Sequence, residues 1–106
     1  MTFIRFYRDS NGELTGFSAI GHAGAADEGE DIVCAGISAL TITAINSLED
    51  IAKVEMHLHV GDGFASVRLC KKQKEHKLSV AQVILKTVQR GFNDMAVSYP
   101  QYMRIS

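Results

Sequence analysis

The chain has 106 residues, 46% of them hydrophobic and 22% charged, with a formal net charge of −1. That length suits a single domain spanning residues 1–106, long enough to bury roughly two-thirds of its unfolded surface. Near-neutral charge argues against a generic nucleic-acid or anionic-membrane binder, and the apolar content argues against global disorder.

Residues 2–8, Thr-Phe-Ile-Arg-Phe-Tyr-Arg, are β-branched and aromatic and read as a strand. They lack the basic-then-apolar opening of a secretion signal, so a cytoplasmic location is expected. Asp9-Ser10-Asn11-Gly12 is turn chemistry, and residues 13–21 read as the returning strand of a hairpin. Residues 22–31 contain Gly24 and Gly29 with the carboxylates of Asp27, Glu28, Glu30 and Asp31, the composition of an exposed, mobile loop.

From Ile32 to about Ile51 the apolar residues leave almost no polar face. The length favours a helix over a strand, with Asp31 as N-cap and burial on most sides, within the domain or at a subunit interface. No uninterrupted apolar run approaches the ~20 residues of a bilayer span, so no membrane role is expected. Residues 54–60 alternate, with Val54, Met56, Leu58 and Val60 inward and Glu55, His57 and His59 outward. Gly61-Asp62-Gly63 supplies a hairpin turn, and residues 64–70 return. Lys71 to Lys77 read as a polar connection. Ser79 and Gln82 resemble a capping box opening a second helix, whose stripe is Val80, Ile84, Val88, Phe92 and Ala96. Pro100 ends it, and Gln101–Ile105 read as a short terminal strand. The order strand-strand-helix-strand-strand-helix predicts an α+β fold, a two-layer sandwich of two helices on a mixed or antiparallel sheet.

Chemistry gathers where the first hairpin, the loop and the first helix meet. If Asp31 caps, Cys34 lies in the first helical turn, where unpaired N–H groups and the helix dipole favour a thiolate. His22 ends a strand that must lie against the same helix, and a histidine there can take the thiol proton and return it to a leaving amine. Helix-start N–H groups would serve a developing oxyanion. Asp31 opposes the dipole with its own charge and competes for those N–H groups. Ser38, one turn beyond Cys34 on the same face, is placed to orient the thiol, to serve the oxyanion, or to bond back to the Cys34 carbonyl. The other reading makes Cys34 a small buried hydrophobe of an apolar helix, and spacing alone leaves both open.

Gly21-His22-Ala23, a Gly-rich loop, and Gly29-Glu30-Asp31-Ile32-Val33-Cys34-Ala35-Gly36-Ile37-Ser38 resemble the paired signature of the bacterial ribosomal-processing cysteine protease family. The opening hairpin, the small size and Tyr99-Pro100 agree with it. The resemblance implies a cytoplasmic, homodimeric thiol endopeptidase without cofactor or metal. It would remove an N-terminal extension from a large-subunit ribosomal protein during ribosome assembly. By position Cys34 is then the nucleophile and His22 the general acid/base, with Gly21, Asp31, Ala35 and Ser38 as substrate-binding positions. The alternative from another class is a non-catalytic ribosome-assembly factor that binds a basic peptide in the same cleft. For either, the acidic loop would attract a basic substrate and could close over it.

The remaining motifs carry less. His57 and His59 share a strand face without a third spaced ligand, so no metal site is expected. Cys70 reads as a half-buried bystander, and the lysine-rich connection, which lacks interleaved aromatics, as a solvated turn rather than a strong nucleic-acid contact.

Overall fold

The structure, a computed structural model, describes residues 1–27 and 29–106. β1 (Thr2–Arg8) and β2 (Leu14–Ile20) form the first hairpin. Its turn is organised by the Asp9 carboxylate, which accepts from the N–H groups of Asn11 at 2.8 Å and Glu13 at 3.0 Å. α1 (Ile32–Ser47) runs into one π-helical turn, Leu48–Ala52, which Lys53 closes at a left-handed φ of 57°. β3 (Met56–Gly61) and β4 (Phe64–Leu69) form the second hairpin, followed by α2 (Glu75–Ser98) and β5 (Met103–Ile105). The sheet order is β3-β4-β2-β1-β5, antiparallel except for the parallel β1–β5 pair. The expected α+β sandwich on a mixed sheet is what forms.

Strand register explains where the core sits. Ile4 pairs with Ala19, and Phe6 with Phe17, which in turn faces Val67 on β4. These side chains share one face, and both helices cover it. Val33, Ile37 and Ala44 of α1 and Ala81, Leu85, Val88 and Phe92 of α2 join them in one buried cluster. Phe6, Phe17 and Phe92 form an aromatic trio with centroids 5.4, 6.1 and 6.0 Å apart.

Several expectations are corrected. The second helix begins at Glu75, inside the predicted polar connection, with Lys74 as an N-cap that makes no side-chain cap bond. Ser79 and Gln82 are no capping box: Ser79 Oγ donates to the Glu75 carbonyl within the helix, and Gln82 reaches across to β2. The buried stripe of α2 is Ala81, Leu85, Val88 and Phe92, while Val80 is exposed and Ile84 half-buried. Both lines lead back from Val88 at helical spacing, so the packing of the sheet chose between them. Finally, α1 is less covered than its sequence suggests. Ile42 is 57% exposed, and Val60 on the helix-bearing side of β3 is 64% exposed. By length and mean hydropathy alone Ile32–Ala52 would pass for a membrane span, although Ser38, Thr41, Thr43 and Asn46 keep its uninterrupted apolar runs short. Here it packs against α2 and the sheet.

Candidate active site

The N-terminus of α1 opens onto a cleft of about 680 Å³ whose other walls are the end of β2 and the β3–β4 turn. Asp31 caps the helix as expected. One carboxylate oxygen accepts from the Cys34 N–H at 2.9 Å, and the other from the Ala25 N–H at 2.9 Å. This single side chain joins the loop after β2 to the first turn of α1. The bond from Cys34 N–H, foremost, with those from Ala25, Ala26 and Val33, holds the Asp31 carboxyl below its ordinary value of 3.8. The Cys34 N–H is therefore turned onto Asp31 and is withdrawn from the oxyanion donors expected at the helix start.

Cys34 is half-buried, and its sulfur accepts from the Ala23 N–H at 3.4 Å. That donor lies beside the reacting atom on the loop leaving β2. Its position depends on Gly21, which has φ of 99°, and where a Cβ would meet the Met1 carbonyl oxygen. Only glycine turns the chain there without strain.

His22 is exposed and lines the same cleft. Its Nε2 lies 3.4 Å from Asp62 Oδ1, and among the described residues no hydrogen bond joins it to Cys34. The Ile20–Phe64 pairing brings the β3–β4 turn against the end of β2, where the Gly21 N–H donates to the Gly63 carbonyl at 2.7 Å. Gly63, at φ of 66°, lies so close to the imidazole that a Cβ would stand 2.7 Å from Nε2. The turn thus cradles the ring. By sequence Gly61-Asp62-Gly63 reads as a turn only; the signal that reveals its role is the β2–β4 register, which no local pattern encodes.

Ala35 and Ser38 are exposed on the cleft wall, and Gly21 and Asp31 line it as well. Ser38 makes no side-chain hydrogen bond among the described residues, so it neither bonds back to the Cys34 carbonyl nor holds the thiol. Thr41, a further turn along α1, also faces the cleft, with a buried Oγ1 that has no partner among the described residues. Of the loop carboxylates, Asp27 and Glu30 are exposed and Asp31 is committed to its cap, while Glu28 lies outside the described residues. Cys70 is a half-buried free thiol at the end of β4 and lies outside the cleft. His57 and His59 stand on the opposite sheet face, and no cluster of three potential metal ligands occurs among the described residues.

A thiol and an imidazole lining one open cleft, with a backbone donor on the sulfur, are the groups a cysteine hydrolase uses. Comparison with known proteins makes the class specific. The chain belongs to the cysteine protease Prp family, whose model matches residues 1–104. It is 30% identical to the ribosomal processing cysteine protease Prp of Bacillus subtilis (strain 168), over 76% of this chain and 80% of that protein. The fold is that of the ribosomal processing protease Prp of S. aureus in complex with a covalently linked product peptide. There the TM-score is 0.88 at 24% identity, covering 100% of this chain and 98% of the other. SMU.848 of Streptococcus mutans superposes with a TM-score of 0.79 at 26% identity, covering 100% and 92%.

Proposed function

We propose that this cysteine protease removes an N-terminal extension from a large-subunit ribosomal protein, with Cys34 as nucleophile and His22 as general acid/base. The observation that carries the assignment is the Ala23 N–H on Cys34 Sγ, within a cleft that His22 also lines. In acylation Cys34 Sγ attacks the scissile carbonyl carbon, His22 takes the thiol proton, and the C–N bond breaks as that proton passes to the leaving amine. Water, deprotonated by His22, then cleaves the thioester. The Ala23 N–H stabilises the sulfur as thiolate. His22 must swing from Asp62 toward Cys34 for the proton transfer, a side-chain rotation that its exposed position permits. Gly21 and Ala35 leave the cleft floor low enough for a peptide backbone. Ser38 supplies a free hydroxyl to that peptide, and Asp31 holds the loop in place. The S. aureus relative, solved with a covalently linked product peptide, supports the covalent route.

The natural partner is a basic ribosomal protein, which exposed Asp27, Glu30 and Asp62 around the cleft would draw in. The protein works in the cytoplasm, where ribosomes are assembled and thiols stay reduced. It works as a homodimer, in which a second copy covers the exposed apolar strip of α1 and β3 that includes Ile42, Leu58 and Val60.

The test is incubation with a ribosomal protein carrying its extension. Wild type is expected to cut once, near the N-terminus, while Cys34→Ala and His22→Ala leave the substrate intact. Binding of the extended protein by wild type without any cutting would favour a non-catalytic assembly factor instead.

A further inference from the structure

The face of the sheet opposite the helices is bare, and its chemistry is one-sided. Register places Phe3, Ile20 and Phe64 in one row across β1, β2 and β4, and the arginines Arg5 and Arg68 in the rows beyond. Arg104 on β5 stands beside Phe3. Phe3 is 56% and Phe64 41% exposed, unusual for phenylalanine on a protein surface. The Arg68 guanidinium carbon lies over the Tyr7 ring, 3.8 Å from its centroid, and that of Arg5 is 5.4 Å from it. The Tyr7 hydroxyl bonds Ser18 Oγ at 3.2 Å, which seats this stack on the sheet. That bond, with the two arginines, holds the Tyr7 phenol below its ordinary value. Among the described strand residues no carboxylate projects from this face, in a chain with 12 acidic residues against 11 lysines and arginines. Glu55 borders it, just before β3.

We propose that this face is a docking platform for single-stranded RNA. Phosphates pair with the arginine guanidinium groups, and bases stack on Phe3, on Phe64 and on the outer plane of Arg68. An open sheet with exposed aromatics takes up two or three splayed bases in this manner, and arginine planes serve as stacking surfaces too. The row from Phe3 to Phe64 crosses two strand spacings, about 10 Å, which accommodates that number. Charge complementarity selects a polyanion over a second copy of this chain, which would set arginines against arginines. The choice of RNA over DNA rests on the proposed ribosomal substrate; stacking and phosphate pairing do not. Phe3, Arg5 and Arg68 lie outside the cleft around Cys34, which Phe64 borders, so a strand docked on them leaves the cleft open to substrate.

Fluorescence anisotropy of a labelled, unstructured RNA of about 12 nucleotides tests this without any protease substrate, so a failure of the cleavage reading would leave the result standing. Wild type is expected to bind with micromolar affinity at low salt, with a slope of log K against log salt near −2 for three phosphate contacts. Phe3→Ala should weaken binding about tenfold. Arg5→Ala combined with Arg68→Ala should flatten the slope by about 1.4. All three substitutions should leave the melting temperature near that of wild type and the cleavage of a short peptide unchanged. Equal binding by these variants, preference for duplex over single strand, or no binding by about 100 µM protein at low salt would overturn the platform. Conversion of a dimer to monomer by Phe3→Ala in sedimentation would give the face to a second copy instead.

Discussion

Asp31 does two things with one carboxylate: it caps α1 through the Cys34 N–H and fastens the loop through the Ala25 N–H. Because its folded-state value is depressed, mainly by the Cys34 bond, its contribution to stability is full at neutral pH and is lost as pH falls through that value. Asp31→Ala should therefore cost about 0.5–2 kcal/mol in urea unfolding at pH 7, with the gap to wild type narrowing below about pH 4. A constant gap across that range would assign the effect to packing. Gly63 is expected to be sensitive for another reason. A methyl group there meets the His22 ring and strains the backbone, so Gly63→Ala should lower kcat/KM at least tenfold while Cys34 still reacts with iodoacetamide. The cap and the place of Cys34 in the first turn were legible in the sequence, because an N-cap acts over three residues. The cradle around His22 was not, because it exists only once β4 pairs with β2.

At the scale of elements, the link between α2 and the first hairpin runs through Gln82. Its side chain accepts from the Leu14 N–H at 2.8 Å and donates to the Leu14 carbonyl at 2.6 Å. Gln82→Ala leaves both backbone groups part-buried and unpaired, an expected loss of about 1–3 kcal/mol in denaturant unfolding. A near-neutral change would mean that water replaces the side chain there. The same residue shows why the sequence pattern puts the start of α2 too late. Ser-x-x-Gln followed by an apolar run is a capping pattern whose donors and acceptors have other partners here, and Glu75 supplies the favourable first-turn charge instead. The strands and α1 were easier to place. Period-two alternation and an apolar run opened by Asp31 are local signals, whereas the phase of α2 depends on which of two apolar lines meets Phe17 and Phe6.

At the scale of the whole molecule, near-zero net charge conceals a division: carboxylates around the cleft, arginines on the bare sheet face. Asp27→Asn combined with Glu30→Gln should lower kcat/KM for a basic peptide at low salt and lose that effect at high salt; equal values at low salt would remove the steering role. The exposed apolar strip of α1 and β3 belongs to this scale as well. Ile42→Asp is expected to shift a dimer to monomer in sedimentation at micromolar concentration, and an unchanged sedimentation coefficient would place the interface elsewhere. The central claim, however, is covalent chemistry at Cys34. Acid-quenched intact-protein mass spectrometry during turnover of an extended ribosomal protein addresses it most directly. The account predicts a thioester adduct of the released extension on Cys34, absent from Cys34→Ala, which forms no product. Product formed by Cys34→Ala at the wild-type rate, or an adduct on Cys70 in its place, would contradict it.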